Sequence, residues 1–239
     1  LCPRFMKKVL KKVWRFCWKT AMWFFIVTIA WVLLYKWVNP PTTFLQLQQG
    51  WNCEGSIKGE WLDIEEIPLD MQLAVISSED QNYLDHFGID MHAVERATEH
   101  NKVSKKKQGA STITQQTAKN VFLWPSRTWV RKGFEVYFTW LIELIWGKER
   151  IMEVYLNVIE MGPCTFGVDG AAHKYWKKSG AKLSREQCAL IAAILPSPRK
   201  SNAAKPSAYT TKRKQQILRQ MSFLGHSYFK RHGKPSWPN

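Results

Sequence analysis

The chain has 239 residues, of which 45% are hydrophobic, with 13 Trp, 12 Phe and a formal net charge of +16. That apolar and aromatic content excludes a disordered protein and is enough for a buried core. So basic a balance points to an anionic partner: nucleic acid, a membrane surface or a phosphate-bearing substrate.

In chain order, residues 1–38 come first. They hold Arg4, Lys7, Lys8, Lys11, Lys12, Arg15, Lys19 and Lys36 and no acid, which is half of the net charge. Within them Thr20 to Tyr35 is uncharged (TAMWFFIVTIAWVLLY), a helical run of about 24 Å at ~1.5 Å per residue. Lys19 and Lys36 can snorkel, and Trp14, Trp18 and Trp37 sit where interfacial anchors belong, so the run reads as one transmembrane helix. A buried core helix would carry a polar face, and a cleaved signal peptide would need a small-x-small site; neither pattern is present. The basic tail then stays in the cytoplasm and everything from about Asn39 lies outside the inner membrane. There a basic body meets lipid phosphates rather than DNA.

Asn39-Pro-Pro-Thr-Thr marks the exit from the anchor, and 39–67 reads as a linker and membrane-proximal segment without clear periodicity. Residues 68–239 read as one mainly α domain. Pro68 opens a helix over LDMQLAVISSEDQNYL, which delivers Glu79 and Asp80. Gly88 to Gln108, charged and weakly periodic, reads as a mobile loop with room for one short helix. Ser111–Phe122 is predicted helical. Thr128 caps a long helix from Trp129 to Trp146 that Gly147 ends. Further helices are expected over Lys148–Ile159 and Gly167–Trp176, after the capping-box spacing Ser184-Arg-Glu-Gln187, and over Tyr209–Phe223. Strand signals are nearly absent.

Five cysteines (Cys2, Cys17, Cys53, Cys164, Cys188) show neither CxxC nor Cys/His ligand spacing, so no zinc site is expected. Cys188 lies in an apolar helical run and should be buried. Cys53 and Cys164 could pair in an oxidising compartment, a pairing the sequence does not require.

The chemistry-bearing residues form four clusters. Glu79-Asp80 ends an apolar helix, where a partly desolvated carboxylate suits proton transfer, although adjacent acids are more often a solvated face. Gly109-Ala-Ser-Thr-Ile-Thr-Gln-Gln116 crowds hydroxyls and carboxamides as a sugar-binding surface would, or as a capped helix start would. Arg131, Lys132 and Glu135 share one helix face, as a plain salt bridge or as a diphosphate clamp beside an acid. Lys148-Glu-Arg-Ile-Met-Glu-Val-Tyr-Leu-Asn157 adds a cation at a helix start. Each is ambiguous singly.

In their order, EDQNYLDHFG, GASTITQQ, RKGFE and KERIMEVYLN resemble the signature series of the family 51 peptidoglycan glycosyltransferases, over about residues 68–200. WPSRTWVRKGFE is similar to the monofunctional branch. Tyr83 and Phe166 exchange one aromatic ring for another relative to the family pattern. The resemblance implies a mainly helical, lysozyme-like domain that polymerises lipid II by inverting β-1,4 transfer with release of undecaprenyl diphosphate. It implies Glu79 as catalytic base and Glu135 as a second essential acid. Asp80 and His86 would complete the first motif, with His86 organising the site. Ser111, Thr112 and Gln116 would line the groove, Arg131, Lys132 and Lys148 would bind the diphosphate, and Glu153 and Asn157 would hold their helix. The implied partners are a lipid II donor, a growing lipid-linked glycan acceptor, the inner membrane and a cell-wall synthesis complex, with no nucleic acid. No cofactor is evident, and a divalent cation (Mg or Mn) could accompany the diphosphate. The basic loop Ser104–Gln108 could close over the donor.

Two rivals fit less well. A glycan-cleaving lysozyme relative would leave RKGFE idle, and a non-catalytic basic module binding nucleic acid or lipid would leave the ordered Glu79, GASTITQQ and RKGFE unexplained. A transpeptidase is not expected, because four SxxK matches occur without SxN or KTG.

Overall fold

The computed structural model describes residues 3–50, 53, 57–104, 107–126 and 128–231. The chain divides into two units, residues 1–39 and residues 40–239. The first is a single helix, α1 (Pro3–Trp37), and its segment Leu10–Trp37 is long and apolar enough to cross a membrane. Among the described residues no other helix is.

The larger unit opens with α2 (Phe44–Gly50), whose start is fixed by reciprocal bonds between Thr43 and Gln46: each backbone N–H donates to the other's side chain. Of residues 39–67, expected as a linker and membrane-proximal segment, those from Pro40 onward belong to this unit and include a capped helix. A small sheet follows the order β1 (Ile57–Lys58), β3 (Thr165–Phe166), β2 (Glu160–Gly162). β1 runs parallel to β3, and β2 runs antiparallel to it. Cys53 and Cys164 form a disulfide beside this sheet, joining residues 111 apart in sequence.

The helical core is built on α3 (Leu69–Glu79), in which every residue from Met71 to Ser77 is buried. It packs against α9 (Arg185–Ile194) and α10 (Ala208–Leu224). α5 (Ile113–Phe122) packs on α6 (Trp129–Ile145) and on α7 (Lys148–Val158), which continues to α8 (Gly167–Trp176). The predicted caps operate: Thr128 accepts from the Arg131 amide, and Ser184 with Gln187 makes a full capping box. Gly147, at φ 80°, turns the chain between α6 and α7. Cys188 is fully buried, and that burial pushes its thiol up to about 12.

The segment expected as a mobile loop is instead largely α4 (Met91–Val103), capped by Asp90, whose carboxylate accepts from the Ala93 amide at 2.8 Å. Most of α4 is exposed, which is why its residues show no apolar stripe. Of the basic loop after it, Lys105 and Lys106 lie outside the described residues. Its flanks are tied down: Gln108 and Asn101 exchange two hydrogen bonds, and Lys107 Nζ donates to the Asn101 carbonyl.

Candidate active site

α3 ends at Glu79, where the buried helix gives way to a polar turn. Glu79 is half-buried; its Oε2 accepts from Gln116 Nε2 at 2.9 Å, and its Oε1 accepts from the Ser78 hydroxyl at 3.3 Å. Gln116 is itself braced, because Tyr155 on α7 donates from its hydroxyl to Gln116 Oε1 at 3.4 Å. That leaves the Gln116 amide nitrogen for the carboxylate. Tyr155 is fully buried, and burial, followed by the charges of Glu79 and Asp80, holds its phenol well above the ordinary value. Tyr155 therefore stays a donor.

Asp80 turns the other way. Its carboxylate is buried and accepts from His86 Nε2 at 2.9 and 3.1 Å and from the Ile113 amide at 3.1 Å. An acid at the first turn of α5 is also favoured by the helix dipole. His86 Nδ1 is buried without a hydrogen-bond partner among the described residues. Asp80 and His86 together join the end of α3 to the start of α5. The turn that leads from His86 to α4 needs Gly88, which has φ 74° and leaves only 2.6 Å from an added Cβ to Thr139 Cγ2.

A cleft of about 330 Å³ opens beside Glu79, lined among others by Asn82, Arg96, Gln108 and Ser111. Asp90 also lines it; burial alone would raise its carboxyl, but the Ala93 N–H, the Asn82 amide and the charges of His86 and Arg96 bring it below the usual range. The GASTITQQ segment splits by face. Ser111 is exposed at this cleft and Gln116 reaches Glu79. Thr112 is buried, accepting from the Gln115 amide and donating to the Gly88 carbonyl at 2.5 Å, so it serves chiefly as a helix cap. Thr114 is also buried and donates to Glu143 at 2.7 Å.

A second cleft, of about 530 Å³, is lined by Lys119, Asn120, Arg131 and Arg199 with apolar Leu45, Leu123 and Trp124. Arg131 and Lys132 both donate to Glu135, each at 2.5 Å, and Glu135 is buried. Glu135 thus holds both cations in place, while Arg131 Nε is buried without a partner among the described residues. Trp124, Trp129 and Val130 are exposed near the start of α6.

Lys119 lies outside the clusters read from the sequence, just beyond the hydroxyls and amides of GASTITQQ. Its signal was spacing: it lies three residues after Gln116, on the same edge of α5. Its ammonium pairs with no described residue. Lys119 is exposed as a residue, yet enough protein surrounds its ammonium that desolvation lowers its pKa. Arg131 and Lys132 add to that lowering, whereas Glu135 and Glu79 oppose it. One lysine therefore senses both carboxylates: it lines the second cleft and follows Gln116, which holds the Glu79 of the first.

Lys148, expected among the diphosphate cations, lines neither of these clefts. It is buried, donates to Glu143 at 2.6 Å and stacks over the Tyr83 ring, whose hydroxyl donates to the Lys148 carbonyl at 2.7 Å. Glu153 accepts from Trp61 and Arg150, and Asn157 clamps the Leu62 backbone from both its amide atoms.

A sequence profile described as transglycosylase matches residues 48–222. The chain is similar to the biosynthetic peptidoglycan transglycosylase of Bdellovibrio bacteriovorus, 49% identical over 209 residues, 85% of this chain and 84% of that one. The protein of the same name from Bacteroides thetaiotaomicron is 48% identical over 90% of this chain and 89% of its own. That from Stutzerimonas stutzeri is 43% identical over 92% and 93%.

Proposed function

The chain belongs to the transglycosylase family, and from that premise we propose that it polymerises peptidoglycan glycan strands, using Glu79 as base and Lys119 with Arg131 as the diphosphate site. It is a glycosyltransferase, and α1 fits a membrane-anchored one. The substrates are lipid II and lipid-linked glycan.

In the step we infer, a sugar hydroxyl of the acceptor attacks the anomeric carbon of the donor. Glu79 takes the hydroxyl proton as the new C–O bond forms. The bond from the anomeric carbon to the diphosphate oxygen breaks on the opposite face, its electron pair leaving with the polyprenyl diphosphate. A single displacement of this kind inverts the anomeric centre. Charge thus grows on the leaving oxygens, where Lys119 and Arg131 stabilise it in a partly desolvated cleft. Gln116, braced by Tyr155, orients Glu79, and Glu135 is a positioning residue that sets Arg131 and Lys132. Asp80 and His86 position the turn that follows Glu79.

The observation that most supports this reading is Lys119: an ammonium without a partner among the described residues, on the same helix edge as the amide that holds Glu79. The apolar lining by Leu45, Leu123 and Trp124 suits an anion attached to a lipid. Among the described residues no three His, Cys, Asp or Glu side chains gather to hold a metal. A Mg2+ or Mn2+ ion belongs to this reading only as a companion of the diphosphate. The basic residues ahead of Thr20 support a cytoplasmic N-terminus with the body on the far side of the inner membrane.

The test is polymerisation of purified lipid-linked disaccharide by the protein and by Glu79→Gln. The variant should lose about 10²–10⁴-fold in rate, the usual contribution of a positioned base, while melting normally. Full activity in the variant, or shortened fragments from finished wall as the product, would remove the proposal.

A further inference from the structure

The cationic cleft has a wall that the mechanism above leaves idle. A 3-10 turn after α9, Pro198–Lys200, brings Arg199 to the cavity that Lys119 and Arg131 line. Arg199 Nε donates to both carboxylate oxygens of Glu160 at 3.0 Å. Glu160 is buried at the start of β2, and its Oε2 also accepts from Gln49 of α2 at 3.2 Å. A buried carboxylate braced from a second element is a firm anchor. It pins the guanidinium through one nitrogen only.

The two terminal nitrogens of Arg199 hydrogen-bond to no described residue. A guanidinium carries five N–H donors in a planar fork, so about four remain once Nε is engaged. An exposed Arg–Glu pair is ordinarily worth little and needs no function. Three facts set this pair apart: its glutamate is buried, its spare donors belong to a residue lining an anion-ready cavity, and the other two cations there also have unused donors. Lys119 has no partner among the described residues, and Arg131 Nε is buried without one. Three cations from three different elements suit an anion with oxygens on two phosphorus atoms better than a single phosphate.

We propose that Arg199 is a third ligand of the diphosphate, held on Glu160 and selecting a diphosphate over a monophosphate. The proposal rests on reading this cleft as the diphosphate site. The assignment also gives Glu160 and Gln49 a purpose, as positioning residues that connect α2 to the cleft.

The experiment uses the full-length protein in detergent, with farnesyl diphosphate and farnesyl monophosphate as competitors of lipid-linked disaccharide polymerisation. Arg199→Ala removes the fork; Arg199→Gln removes the charge but keeps an N–H for Glu160, which guards against a folding defect. Both variants should raise the substrate KM and the farnesyl diphosphate Ki about tenfold, in line with loss of a charge-assisted hydrogen bond. Inhibition by farnesyl monophosphate should move less than about twofold, with kcat moving far less than KM. An unchanged diphosphate Ki in Arg199→Gln, or equal weakening of both competitors, would overturn the assignment of Arg199 and leave the function standing. A wild-type protein that neither polymerises nor responds to farnesyl diphosphate would instead take down the underlying reading as well.

Discussion

Lys119 is the side chain on which the residue-scale behaviour turns. Desolvation lowers its pKa, so it sheds its proton at a lower pH than an ordinary lysine. The charged form is the one that binds phosphate. Substrate affinity should therefore be strongest below that lowered value and fall as pH rises through it. Lys119→Arg, charged throughout, should flatten the alkaline rise in KM, as a KM–pH profile of both proteins would measure. Tyr155 gives a second handle. Tyr155→Phe removes the donor to Gln116 and frees the amide to turn, so kcat should fall by about 3–10-fold, the scale of one neutral hydrogen bond, with KM nearly constant. Steady-state kinetics decides it.

At the scale of elements, the start of α5 carries the most. Thr112 caps it, ties it to Gly88 and lies next to the amide that Asp80 accepts. Thr112→Val keeps the shape and removes both bonds, and thermal unfolding should show a loss of about 1–3 kcal/mol. Helices with punctuation were legible in the sequence: Thr128, Gly147 and the Ser184–Gln187 box mark their ends where the structure has them. α4 was not legible, because a polar, mostly exposed helix has no apolar period to read, and its cap Asp90 is one acid among many. The strands of two or three residues owe their existence to partners far along the chain, which local pattern cannot reveal. Motif residues fared by the same rule. Gln116 reaches Glu79 and Arg131 lines the other cleft, but the sequence could not say that Lys148 would turn inward to Glu143 or that Arg199 would arrive from a distant turn.

At the scale of the molecule, one covalent link closes the longest loop. Cys53 and Cys164 join segments 111 residues apart. On the chain-entropy account a loop of about 100 residues gains up to about 4.7 kcal/mol, with native links usually worth ~2–5 kcal/mol. The double variant Cys53→Ser/Cys164→Ser should lose stability in that range by denaturant unfolding, and keep Glu79-dependent polymerisation at temperatures where it stays folded. A loss confined to activity, with unchanged unfolding, would contradict this account.

The same link bears on how the protein matures. Cys53 is synthesised long before Cys164, and the body holds one more thiol, Cys188. Once α9 is packed, Cys188 is fully buried and out of reach, leaving Cys53 a single partner within the body. Before α9 packs, both later thiols compete for it. Correct oxidation is thus an outcome of near-complete folding, and an overexpressed chain oxidised too early should accumulate a mispaired Cys53–Cys188 form, open to rescue by a disulfide isomerase.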